Sequence, residues 1–166
     1  MKGKKAVTAW AAGLLLVLYL LIFGFSAQDG ETSGSMSLYI SEKCAGIVNH
    51  FTKKGTDHRT LEAMAAYFEH PIRKMAHFGE YACMGVLVYI MWSPWIRLKR
   101  KLFFLTGTWV LLSAAADELH QFFVPGRYCS FSDVILDTCG GCFGALVCAV
   151  IFKWRSRLLS KRDRDT

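Results

Sequence analysis

The sequence predicts an all-α integral membrane protein with four transmembrane helices, both termini cytoplasmic, and short amphipathic helices in the external segment between spans one and two. Three observations predict this class. Apolar residues make up 53% of the 166 residues. They gather into four runs of membrane-crossing length. The basic residues collect in short blocks beside those runs: Lys2, Lys4 and Lys5; Arg97, Lys99, Arg100 and Lys101; then Lys153 to Arg164. A net charge of +7 raises the question of a nucleic-acid partner. Basic blocks flanking apolar runs are what membrane topology requires, and no aromatic-basic nucleic-acid motif is visible. The expected partner is the lipid bilayer, with no nucleic acid. The length suits one domain over residues 1–166.

Span one is expected over residues 6–25, twenty residues without a charge. A cleaved signal peptide competes, because Lys2 to Lys5 resemble its basic start. The apolar run exceeds the roughly 7–15 residues of a signal core, which favours an uncleaved span. The external segment covers residues 26–70. Gln28 to Ser37 is polar and rich in Gly and Ser, so it reads as a loop. Ser37 then suits the cap of a short helix carrying Ile40, Cys44, Ile47, Val48 and Phe51 on one face. Lys53 to Arg59 is a second polar break. Leu61, Met64, Ala65 and Phe68 form another helical stripe. These two helices are expected to lie on the outer face or to cover the bundle.

Span two is expected over 71–92, with Pro71 in its first turn, where a missing N–H costs nothing. Span three is expected over 102–123 and ends before Pro125-Gly126. Span four is expected over 134–152, where Gly140 and Gly144 form a G-x-x-x-G packing face. Residues 153–166 form a basic tail. With the N-terminus inside, thirteen of the 20 basic residues fall on the cytoplasmic side, next to span ends. Of the six cysteines, Cys139 and Cys142 form a C-x-x-C in a Gly-rich apolar context and read as small packing residues. Cys44 and Cys129 both fall in external segments, and sequence alone leaves their pairing open.

This topology brings ionisable residues from three spans to one depth. Arg73, Lys74, His77, Glu80 and Tyr81 lie at the outer end of span two. Asp117, Glu118, His120 and Gln121 lie at the outer end of span three. Arg127 sits in the following loop, and Asp133 and Asp137 open span four. Spacings of three and four put Arg73, His77, Glu80 and Tyr81 on one helix face. The same rule groups Asp117 with His120 and Gln121, and Asp133 with Asp137. Asp117 lies on the order of 10 Å inside its span. A carboxylate at such depth costs roughly 2.5–3.5 kcal/mol and must face the bundle interior or a wet cavity. The bland reading is that these groups staple helix ends together.

Three chemistries fit the set. Arg73, Lys74 and Arg127 suit a phosphate or carboxylate, with Gln121 and the acids as acceptors. His77 or His120 beside a carboxylate suits a general base. Asp and His also suit a divalent metal, although no recognised metal spacing is present. An ion-coupled carrier would need polar residues along the whole path, and the inner halves of the spans lack them.

Four motifs are similar to those of the VanZ-like membrane proteins: Phe25-Ser26-Ala27-Gln28; Arg73-Lys74-x-x-His77-Phe78-x-x-Tyr81; Asp117-Glu118-x-His120-Gln121-x-x-x-Pro125-Gly126-Arg127; and Ser132-Asp133-x-x-x-Asp137-Thr138-x-Gly140. Their order and spacing cover about residues 7–152. Ala27 stands where the family usually has serine. The resemblance implies a small multi-pass protein of the plasma membrane, often in Gram-positive bacteria, and a link to resistance against the lipid-tailed glycopeptide teicoplanin. It names no cofactor and no reaction. From residues and resemblance together, the expectation is an outer-leaflet site for an envelope component, either a lipid headgroup or a lipid-linked precursor. His77, Asp117 and Asp137 are the catalytic candidates. Arg73, Glu80, Tyr81, Glu118, His120, Gln121, Arg127 and Asp133 are the ligand-binding candidates. The alternatives are a packing or partner-binding protein acting through the Gly140–Gly144 face, and a metal-dependent hydrolase or transferase.

Overall fold

The computed structural model describes residues 1–52 and 57–162. Among them it contains five α-helices and no strand: α1 (Lys2–Ser26), α2 (Gly30–Thr52), α3 (His58–Trp92), α4 (Lys99–Phe122) and α5 (Phe131–Arg162). Three are long and apolar enough to cross a membrane: α1, α4 and the Phe131–Leu158 part of α5. α3 is not among these three. Arg73, Lys74, His77 and Glu80 dilute its apolar run.

α3 is nevertheless the centre of the bundle and packs against all four other helices. Tyr81, Met84, Val88 and Tyr89 on its second half are almost fully buried, while Trp10, Leu16 and Leu20 of α1 point outward. An apolar face turned out and a second apolar face turned in is the pattern expected of a helix in lipid.

Successive long helices run in opposite directions. At one end of the bundle the Thr8 hydroxyl of α1 donates to the Met91 carbonyl near the end of α3 (3.0 Å). Tyr89 and Phe152 meet near that end too, their rings 6.0 Å apart. At the other end Ser26 of α1 reaches Asp117 of α4. Between the two, Trp109 donates to the Tyr19 hydroxyl (2.9 Å), which shares a 2.5 Å hydrogen bond with Ser113.

The α3–α5 contact is made by glycine. A Cβ at Gly140 would press on the Phe78 carbonyl, one at Gly144 on the Ala82 carbonyl, and one at Gly85 on the Gly141 carbonyl. Backbones this close trade side-chain volume for dispersion contact, the main source of helix association in lipid. The Gly140–Gly144 face is therefore occupied inside the molecule.

Two expectations for residues 26–70 need correction. Gln28 to Ser37 is not a loop. Asp29 accepts the Thr32 N–H (2.7 Å) and caps a helix that starts at Gly30. Pro71 does not open a span. It sits inside the 35-residue α3, so the expected stripe at 61–68 and span two form one rod. A proline there removes one backbone hydrogen bond. Tertiary burial of Ala65 and the docking of α2 along the same stretch outweigh that loss. The expected break at 53–59 falls partly outside the described residues; of the expected tail at 153–166, residues 153–162 continue α5 as helix and the rest lies outside the described residues. Cys44 and Cys129 are free thiols.

Candidate functional site

The end of the bundle where α1 and α4 finish and α5 begins holds the polar residues. Asp117 lies at its floor, 2% exposed. Its Oδ2 accepts from the Ser26 hydroxyl (3.0 Å) and from Gln121 Nε2 (3.0 Å), and Gln121 also donates to Ser26 (3.2 Å). Sequence reasoning did not assign Ser26 a role. Its signal was its place in the Phe25-Ser26-Ala27-Gln28 motif at the end of an uncharged run. Asp117 is within electrostatic reach of His77, Glu80, Tyr81 and Asp137. His77 Nδ1, the Tyr81 hydroxyl, Asp117 Oδ1 and Asp137 Oδ1 are buried and have no hydrogen-bond partner in the protein. Buried polar atoms are rarely left so, and of these His77 and Asp137 border open space that a ligand or water can enter.

Above this floor opens a cavity of about 500 Å³. Its wall includes Arg73, Lys74 and His77 from α3, Glu118 and Gln121 from α4, Arg127 from the loop, and Asp133 and Asp137 from α5. The volume falls in the usual range for small-molecule sites. Several walls are held by their own contacts. Lys74 Nζ pairs with Asp133 Oδ1 at 2.6 Å and ties α3 to α5. Glu118 Oε2 accepts the Ser130 backbone N–H (2.8 Å), which fixes the start of α5. Gly126, at φ 71°, turns the chain after α4 so that the Pro125 carbonyl accepts the Gly30 N–H (3.0 Å).

Not every candidate lines this cavity. Glu80 borders a neighbouring slot instead, with its Oε2 3.6 Å from His77 Nδ1. Tyr81 and Asp117 do not line the cavity. His120 turns toward the Phe23 ring of α1, 5.4 Å away. Among the described residues no group of three His, Cys, Asp or Glu is arranged to hold a metal ion.

The cations differ in their partners. Arg73 pairs with Glu69 one turn earlier, and both meet the Ser37 hydroxyl of α2. Burial raises the Glu69 carboxyl, but the Ser37 hydroxyl and Arg73 outweigh it and leave it below its usual value. Arg127 donates to the Phe25 and Gln28 carbonyls (3.3 and 3.4 Å). Among the described residues it forms no ion pair with a carboxylate. Burial, together with nearby Arg73, lowers its pKa. A half-buried guanidinium without a counter-ion favours an incoming anion.

Fold and site define the class: a small all-helical membrane protein with an ion-lined cavity at one end of its bundle. The family model for VanZ/LLP1 matches residues 11–153, most of the chain. The protein belongs to this VanZ-like family. Neither the curated proteins nor the solved structures give a match.

Proposed function

We propose that this protein binds an envelope component carrying an anionic head, at a site facing the outer leaflet. The component is a lipid headgroup or a lipid-linked precursor. In this reading α1, α3, α4 and α5 are four membrane spans with both termini cytoplasmic, as the basic blocks require. The setting we infer is the plasma membrane of a Gram-positive bacterium and its response to teicoplanin.

One observation carries the reading. Arg127, half-buried and without a carboxylate partner, faces the same cavity as Arg73, Lys74, His77 and Asp137. The arginines suit a phosphate. His77, with Glu80 nearby, suits a general base, and Asp137 suits a group that holds or passes a proton. Asp117 orders Ser26 and Gln121 from below. The Gly140–Gly144 face packs on α3 within this chain, so a partner-binding role would use a different surface.

Native mass spectrometry of the purified full-length protein tests this. Phosphatidylglycerol is expected to stay bound where neutral diacylglycerol does not. Arg127→Gln is expected to weaken retention by roughly 10–100-fold, the range for a hydrogen bond to a charged group. Equal retention of both lipids, or an Arg127→Gln protein that binds as wild type, overturns the proposal.

A further inference from the structure

Beside the polar cavity lies a second space of about 200 Å³, between α2 and α3. Its surface is predominantly apolar, with Phe25, Met36, Ile40, Ile72 and Ala76 beside the polar Gln28, Ser33, Ser37 and Glu80. The two spaces share three residues: Arg73, His77 and Arg127. Glu118, Asp133 and Asp137 belong to the polar cavity alone, and Glu80 borders the slot beside His77. So the two spaces adjoin at Arg73, His77 and Arg127: a mainly apolar slot on one side and a chamber with three carboxylates on the other.

That arrangement matches the groups of a phosphate-linked lipid. A hydrocarbon chain is followed by a phosphate and then by a head bearing hydroxyl or amine donors. We propose that the protein takes such a lipid with its head inward. One chain lies in the α2–α3 slot, the phosphate sits between Arg73 and Arg127, and the donor-bearing head faces Asp133, Asp137 and Glu118. This deepens the proposed function and rests on it: it adds which class of lipid, in which orientation, and where the chain goes.

Two features support the chain position. α2 presents Met36 and Ile40 to it from a helix anchored at both neighbours, by Gly30 to Pro125 and by Ser37 to Glu69. Arg127 stands where slot and chamber meet, its charge unpaired by any carboxylate among the described residues. A free phosphate would use the arginines and leave the slot unused. A neutral amphiphile would use the slot and leave Arg127 unpaired. A phosphate-linked lipid uses both.

The test is binding by the full-length protein in amphipol, so that detergent does not compete for the slot. The probes are glycerophosphate, dihexanoyl and dioctanoyl phosphatidylglycerol, dioctanoyl phosphatidic acid and a ten-carbon polyprenyl diphosphate sugar. Wild type is expected to bind dioctanoyl phosphatidylglycerol roughly tenfold tighter than the dihexanoyl lipid, as expected for two further methylenes buried in the slot. It is also expected to prefer either headed lipid to phosphatidic acid. The preference between phosphatidylglycerol and the polyprenyl sugar identifies the source. Ala76→Phe, which fills the slot, is expected to erase the chain-length gain and leave glycerophosphate binding unchanged. Ile72→Ser serves the same purpose should Ala76→Phe fail to fold. A chain-length gain that persists in the folded slot variant overturns the inference while the headgroup reading stands. No binding of glycerophosphate or any lipid by wild type overturns both. Equal affinity for phosphatidic acid and phosphatidylglycerol overturns the assigned head orientation.

Discussion

Replacing Gly144 with alanine isolates the contact that holds the site together. The new Cβ would overlap the Ala82 carbonyl oxygen, which belongs to the α3 backbone and cannot rotate away. The helices must separate or slide. Overpacking of this kind costs about 1–3 kcal/mol. Alanine returns up to about 1 kcal/mol through its helix propensity, so the net loss is smaller than the steric cost. Gly13 and Gly24 provide the control, since a Cβ at either meets nothing within 4 Å. There alanine is expected to be neutral or stabilising. Gly140 presses on the Phe78 carbonyl in the same interface, so the double variant is expected to be non-additive. The assay is the thermal midpoint of purified protein by fluorescence-detected size exclusion. For a chain this size the Gly144 variant is expected to lose about 3–6 °C. Its lipid binding falls too, because α5 carries Asp133 and Asp137 two to three turns above Gly144. A Gly144→Ala protein with wild-type midpoint and binding would refute the close-packing argument.

Ser26→Ala leaves Asp117 with Gln121 alone and is expected to cost about 1.5–3 kcal/mol; an unchanged midpoint would show that the hydroxyl does not hold the carboxylate. The Lys74–Asp133 pair is about one-third exposed, so a double-mutant cycle is expected to return a coupling of only about 0.2–1 kcal/mol. Glu69 has a depressed folded pKa, so its contribution to α2 docking is present above the ordinary glutamate value. It is lost as pH falls through the folded value. Limited proteolysis of α2 is expected to rise in acid, and Glu69→Gln is expected to remove that dependence; equal acid sensitivity in both proteins would exclude Glu69 as its source. On intact cells an impermeant thiol reagent is expected to label a variant whose sole cysteine is Cys129, an exposed free thiol. Labelling only after lysis would reverse the proposed orientation.

Much of the fold is legible in the chain. The uncharged run of residues 6–25 and the runs closing on Phe123 and opening at Val134 correspond to α1, α4 and the start of α5 within a few residues, while α5 runs ten residues past the expected end at 152. Apolar length alone dictates a helix there, because lipid offers the backbone no other partner. Residues 26–70 were harder to read. Asp29 is one acid among polar neighbours, and its capping role shows only once the Thr32 N–H is placed on it. Pro71 reads as a boundary by local rules, yet α3 runs through it because α2 packs along its first half.

The candidate site divides in the same way. Residue types, spacing and alternating direction suffice to bring His77, Asp117, Gln121, Arg127, Asp133 and Asp137 to one end of the bundle, since a crossing helix must put its charges at its ends. Rotation about each helix axis is what sequence leaves open, and rotation decides contacts. Tertiary packing turned His120 toward Phe23, set Glu80 beside the slot and put Asp117 on Ser26, off the cavity lining. Glycines at 85, 140, 141 and 144 set that rotation. They allow α3 and α5 only one close approach, and that approach places Lys74 against Asp133.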